Sequence, residues 1–275
     1  FRSVGEARVN PSLDPILIYE RYTISNSAQR QLAHHIADRV FKKLTNIRGA
    51  FSTPIAYIAV TRQAGDASHY QLEIADIDGK NPQILLTSTA PIMSPAWSPD
   101  GKKIAYVSFE NHKMAIYIST LATGKRHLVK RFSGINSAPA WSPDGRWLAV
   151  SLSKGADQSD HPDIYLFNLK THQWRQLTHS PAIDTGPAWS PDGRSLIFTS
   201  NRQGTPQIYQ INIRNKQINR LTNIGNYNAS ASFTPNGKSI GLLHRGEGGF
   251  TIAIEDIANG TMRILTAPGT LGSPS

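Results

Sequence analysis

The chain has no cysteine in its 275 residues. That excludes a disulfide framework and thiolate chemistry, and it is compatible with an oxidising compartment without proving one. No apolar run approaches the length of a membrane-spanning helix. No basic-then-apolar stretch opens at Phe1, and a processed or shortened chain would read the same way. The Gly-x-Ser-x-Gly elbow, the His-Glu-x-x-His pair and the glycine-rich phosphate loop are all missing. The expectation is a non-enzyme with no cofactor. The nine histidines show no metal-ligand spacing, and His34 and His35 are adjacent, so they cannot share a helix face. Acidic residues are few, 19 against 29 Lys and Arg, for a net charge of +10. Such a field favours anionic partners. The bases are scattered and the aromatics are not interleaved with them, so nucleic acid is not expected.

What is present is a repeat. Trp-Ser-Pro-Asp-Gly begins at Trp97, Trp141 and Trp189, and Phe233-Thr234-Pro235-Asn236-Gly237 is a degenerate fourth copy. The aromatic residues are 44, 48 and 44 positions apart. That period fits one four-stranded blade of a β-propeller. Pro presets φ, Asp suits the next place and Gly accepts positive φ, so each motif is a tight hairpin turn. The aspartates Asp100, Asp144 and Asp192 are therefore turn residues rather than a carboxylate array. The tryptophans fill the wedge between blades.

Each motif is followed by three more strands. The first copy reads Ile104-Ala105-Tyr106-Val107, Ala115-Ile116-Tyr117-Ile118 and His127-Leu128-Val129. The others repeat an Ile-Tyr or Ile-Ala third strand and close on Leu177-Thr178, Leu221-Thr222 and Leu265-Thr266. An earlier copy lacks the Trp motif and shows strands at Ile55, Leu72 and Ile84. The expected class is mainly β. A propeller of five blade equivalents spans about 51–91, 92–134, 135–182, 183–225 and 226–268, and a sixth blade begins at 269–275. Ser273-Pro274-Ser275 resembles Ser94-Pro95-Ala96 and lies in phase, which predicts a longer native chain.

Residues 1–50 are a different unit, read as the C-terminal part of an α/β domain. Ile16-Leu17-Ile18-Tyr19 reads as a strand. Ala28 to about Ile47 reads as a helix with Leu32, Ile36, Val40 and Leu44 on one stripe, capped among Ser25, Asn26 and Ser27. Asn46 and Gly49 mark its end.

Blade topology puts the Ser-Pro-Asp-Gly turns and the third-to-fourth turns on one face. The inter-blade links and second-to-third loops share the other face, and these vary from blade to blade, as a binding surface should. The central ring of that face is Ile92-Met93-Ser94, Asn136-Ser137-Ala138, Asp184-Thr185-Gly186 and Asn228-Ala229-Ser230. An outer ring carries His112 and Lys113, the acidic cluster Asp157, Asp160, His161 and Asp163, then Asn201-Arg202-Gln203 and Arg245-Gly246-Glu247. The acidic cluster lacks the glycine and distal Glu of a calcium loop, so it reads as a solvated loop and no metal is expected. The candidate partner-binding residues are Met93, Ser94, Ile135, Asn136, Ser137, Ala138, Asp184, Thr185, Gly186, Asn228, Arg202 and Arg245. The central ring is small and neutral, which suits close approach of a protein loop.

The repeated Pro-Ala-Trp-Ser-Pro-Asp-Gly, the Ile-Tyr strands and the closing Leu-Thr resemble the TolB-type propeller family. The junction Val40-Phe41-Lys42-Lys43-Leu44-Thr45-Asn46-Ile47-Arg48-Gly49-Ala50-Phe51, running into Ile55-Ala56-Tyr57, resembles the hinge between that family's two domains. The resemblance implies a six-bladed propeller behind an α/β domain, in the periplasmic Tol–Pal system. It implies binding of the lipoprotein Pal on a propeller face, and a role in outer-membrane integrity and cell division. The family's Pal-contacting positions carry over to Ala138 and Thr185. Ile135 stands where the family can carry His. TolA binding in the family belongs to an extreme N-terminus that has no match here, so no TolA site is assigned. Two alternatives are the propeller of a serine peptidase without its hydrolase domain, and a propeller that binds a small molecule or glycan.

Overall fold

The computed structural model describes residues 20–269, apart from 24, 26–27, 63–67, 132–135 and 154–160, and no side chain at 111, 131, 136 or 137. The strand expected at Ile16, the cap residues Asn26 and Ser27, and nearly all of the expected sixth-blade start lie outside the described residues. Two compact units are present: residues 1–55 with 74–83, and residues 56–73 with 84–275. No helix among the described residues is long and apolar enough to cross a membrane.

In the smaller unit, α1 (Gln29–Thr45) ends at Asn46, whose left-handed φ of 57° lets its N–H reach the Lys42 carbonyl at 2.8 Å. That is an αL cap. Ile36, Val40 and Leu44 are exposed. Past the cap, Asp38 accepts the N–H groups of Phe51 at 2.7 Å and Ser52 at 3.0 Å. This ties the following chain to the helix. Gly49 is needed there because a β-carbon would lie 2.7 Å from the Asp38 Cα.

The rest is a propeller of antiparallel sheets. The first sheet has three strands, β1 (Ile55–Thr61), β2 (His69–Ala75) and β3 (Gln83–Ser88), matching the three legible in the sequence. Four four-stranded sheets follow in meander order. The second is β4 (Ile92–Trp97), β5 (Lys103–Ser108), β6 (Ala115–Thr120) and β7 (Arg126–Arg131). The third is β8 (Asn136–Trp141), β9 (Trp147–Leu152), β10 (Asp163–Asn168) and β11 (Trp174–Gln176). The fourth is β12 (Asp184–Trp189), β13 (Ser195–Ser200), β14 (Gln207–Asn212) and β15 (Ile218–Arg220). The fifth is β16 (Asn228–Phe233), β17 (Ser239–Gly246), β18 (Gly249–Asp256) and β19 (Met262–Ile264). The first strands β4, β8, β12 and β16 neighbour one another around the ring.

Burial between sheets follows the period-two alternation of strands. Ile116 and Ile118 pack with Tyr165 and Phe167 of the next sheet. Ile164 and Leu166, on the opposite face of β10, pack with Phe198, Tyr209 and Ile211. Ile197 and Ile208 then pack with Ile240, Leu242 and Ala253. The Trp indoles add a directional link. Trp141 donates to the Ala96 carbonyl and Trp189 to the Ala140 carbonyl, each at 3.1 Å. The Trp97 indole N–H is buried and has no partner among the described residues.

Both sequence signatures have a hydrogen-bonding cause. In each motif turn the serine hydroxyl donates to the turn aspartate and accepts the N–H that opens the next strand. For Ser98 these bonds are 2.6 Å to Asp100 and 2.9 Å from Lys103. Thr234 and Asn236 repeat the arrangement in the degenerate copy. The closing Leu-Thr is a clip: Thr178, Thr222 and Thr266 accept the N–H groups of Ile164, Ile208 and Ile252 at 2.9, 3.0 and 3.0 Å.

Candidate functional site

The first strand of each four-stranded sheet breaks its ladder at the same place. Register shifts between Met93 and Ala96, Ser137 and Ala140, Thr185 and Ala188, and Ala229 and Ser232. Each gap is a bulge. Its first residue is left-handed: Ser94 at φ 52°, Ala138 at 51°, Gly186 at 61° and Ser230 at 52°. Pro95, Pro139 and Pro187 come next, and proline, lacking an N–H, is tolerated in a strand at a bulge. A left-handed residue that carries a β-carbon costs about 1–2 kcal/mol. Three of the four positions bear that strain.

These four bulge residues line one cavity of about 420 Å³, together with Thr185, Ala229 and Tyr227. Ile183, Thr199, Asn201 and Pro206 complete the wall. Among the described residues of the wall none is charged, and none is an acid or base that titrates near neutral pH. The Thr199 hydroxyl accepts the Ser230 N–H at 3.1 Å, which joins the fourth sheet to the fifth across the cavity wall.

The structure brings together Ser94, Ala138, Thr185, Gly186, Ala229 and Ser230 from the sequence-derived ring. Met93, Asp184, Asn228, Arg202 and Arg245 are not in the described wall of the cavity. Met93 is exposed on β4, beside the cavity rather than in its wall. Asn136 and Ser137 begin β8, and Ile135 lies outside the described residues. Asp184 is fully buried, and both its oxygens accept from Arg202 Nη2, at 3.0 and 2.8 Å. The Arg202 guanidinium also lies over the Phe198 and Tyr209 rings, 5.2 and 4.9 Å from their centroids. This is a buried ion pair under the ring, and removing one partner would strand the other.

Asn228 is likewise buried. It donates to Gln207 Oε1 and the Ile224 carbonyl, both at 2.8 Å, and its Oδ1 meets His244 Nδ1 at 2.8 Å. Burial holds the His244 imidazole below its usual range. Arg245 is exposed, with its guanidinium 5.6 Å from the Phe250 centroid. In the acidic loop, Asp157 and Asp160 lie outside the described residues. Asp163 accepts from Thr178 and Gln176, and burial raises its carboxyl.

The sequence reading missed Tyr227, Thr199, Ile183 and Pro206 as wall residues. The one signal for Thr199 is register: it sits opposite Thr185 on the neighbouring strand. The histidine spacing also concealed a cluster in the smaller unit. His34, Asp76 and Asp78 bring ligand atoms within 4.8 Å of one another. Arg30 is ion-paired to both aspartates, so a cation already offsets part of their charge. Hydrogen bonds from Asn81 and then Arg30 hold the Asp76 carboxyl low.

A family profile described as the TolB beta propeller domain matches residues 41–275. The Tol-Pal system protein TolB of Coxiella burnetii is 54% identical over 123 residues, which is 44% of this chain and 28% of that protein. The protein of the same name from Alcanivorax borkumensis is 47% identical over 152 residues, 55% of this chain and 35% of its own length. The chain thus spans about a third of the curated relatives it matches. The crystal structure of TolB from Acinetobacter baumannii superposes with a TM-score of 0.85 at 42% identity, covering 93% of this chain and 63% of that one. An oligogalacturonate lyase and a puromycin-hydrolysing peptidase, at 16% and 15% identity, share the fold alone.

Proposed function

Because the chain belongs to the TolB β-propeller family, we propose that it is a non-catalytic adaptor of the periplasmic Tol–Pal system, docking the lipoprotein Pal at the cavity. The observation that carries this reading is the ring of four left-handed bulge residues around a neutral wall. Strained backbone over-determined by its surroundings marks functional positions in many proteins. Here the strain sits where four blades converge and leaves room for a loop rather than a charged ligand. A described wall with no acid or base that titrates near neutral pH fits binding better than acid–base catalysis. Through Pal the protein would support outer-membrane integrity and cell division.

Ala138 and Thr185 are the contacts we assign first. The test is calorimetric titration of the chain with the soluble domain of its cognate Pal. Ala138→Lys with Thr185→Lys is expected to weaken binding about 100-fold or more, the range of a disrupted hot spot. Melting should stay near that of the parent, because both residues are only partly buried. Unchanged affinity in a folded double variant would reject the placement.

A further inference from the structure

The face opposite the cavity is built from turns. In each four-stranded sheet the residue after the turn glycine is a cation: Lys102, Arg146, Arg194 and Lys238. Its carbonyl accepts the N–H of the residue that opens the outer turn, Leu121, Leu169, Ile213 or Ile257, each at 3.0 Å. The inner and outer turns of every sheet are thereby clamped side by side.

Neighbouring sheets are in contact as well. A β-carbon at Gly145 would lie 3.4 Å from the Pro99 ring, one at Gly193 3.8 Å from Pro143, and one at Gly237 3.5 Å from Pro191. The turns form a continuous floor from sheet to sheet. The outer turns add Lys125, Lys170, Arg214 and Lys216. All eight cations are exposed.

The acids of this floor are Asp100, Asp144, Asp192 and Asp256, half as many as the cations. Arg146 and Arg194 lie 3.8 and 4.0 Å from their own turn aspartates. Most of the surplus is in the outer turns, whose four cations make no ion pair among the described residues. No exposed large apolar side chain lies on these turns. Protein interfaces depend on buried aromatic and aliphatic anchors. An anionic lipid surface needs only a broad array of cations.

We propose that the turn face of the second to fifth sheets docks the propeller on an anionic phospholipid surface. It is a different face from the cavity, so it stands or falls apart from the Pal reading.

The test is co-sedimentation of the full chain with vesicles of phosphatidylcholine carrying about 30% phosphatidylglycerol, at low salt. Binding is expected there, but not to pure phosphatidylcholine, and it should disappear at about 0.5 M NaCl. Reversing Lys125, Lys170, Arg214 and Lys216 to Glu should lower the partition at least about tenfold. A control with Lys42, Lys43, Lys113 and Arg263 reversed carries the same change in net charge, and should bind within about twofold of the parent. Circular dichroism melts check that both variants fold. Equal loss in both would assign the effect to net charge and overturn the face. No binding by the parent, or equal binding to neutral vesicles, would also overturn it. A parallel titration with soluble polyglutamate covers the other source of anions. Tighter binding there than to vesicles would reassign the face to an acidic protein.

Discussion

Gly186 and Ala138 occupy equivalent bulges with nearly the same backbone, φ 61° and 51°. One is the residue that conformation favours and the other is not. A β-carbon added at Gly186 would meet only the Thr199 Oγ1, at an ordinary 3.8 Å. Gly186→Ala therefore isolates backbone strain, and should cost about 1–2 kcal/mol by urea denaturation. No measurable cost would mean that the bulge relaxes and stores nothing. Glu255 is a different kind of strain. It is 2% exposed, its Oε2 has no partner among the described residues, and burial pushes its carboxyl up to about 7. The matching residues of β10 and β14 are Phe167 and Ile211, both core. A raised carboxyl pKa favours the folded state fully below the ordinary glutamate range. That contribution is lost as pH rises through about 7. Melting should fall between pH 5 and 8, and Glu255→Gln should remove the fall, a difference of about 1–3 kcal/mol at pH 8. Parallel melting profiles for the two proteins would contradict the burial argument.

At the scale of the element, two small devices recur and each can be broken singly. The Thr222 hydroxyl accepts from Ile208 N–H and donates to Gln207 Oε1 at 2.6 Å, fully buried. Thr222→Val keeps the shape, takes this acceptor from the Ile208 N–H and leaves Gln207 Oε1 only its bond from Asn228, so it should destabilise by about 2 kcal/mol. A shift under a few tenths in chemical denaturation would show that the clip is incidental. The Trp link is milder. Trp189→Phe keeps an aromatic wedge, as Phe233 does naturally, and loses only the bond to Ala140. About 1 kcal/mol is expected. The turn aspartates have the opposite pH sign to Glu255. Hydrogen bonds from Ser98 and Ser190 hold Asp100 and Asp192 low. What they contribute is present above the ordinary aspartate range and lost as pH falls below it.

For the molecule as a whole, the two proposed surfaces lie at opposite ends of the same strands. Each motif turn follows the end of its first strand, whereas the bulge residue that lines the cavity lies toward that strand's start. If both assignments hold, a lipid surface and Pal bind together rather than compete. Chain saturated with the Pal domain should still sediment with phosphatidylglycerol vesicles. Displacement of one by the other would place both on one face and refute the arrangement.

Much of this was legible in the linear chain because it is decided locally. A Ser-Pro-Asp-Gly turn is specified by the φ preferences of adjacent residues, a strand by alternation, and a helix end by Asn46. Recurrence of these signals about every 44 residues was enough for the propeller and for the ring around Ala138 and Thr185. The remainder needed tertiary structure. Only Gly186 announces a left-handed residue; Ser94, Ala138 and Ser230 adopt the same conformation within bulges against the neighbouring second strands. Arg202 and Asn228 read as surface contacts, yet the fold turns one onto Asp184 and the other onto Gln207 and His244. Glu255 sits in a core position because the strand's register carries it there. Short-range preferences are encoded within a few residues. Which side chains meet across blades is set by strand register and by the packing of one sheet on the next, and these depend on residues far apart in the chain.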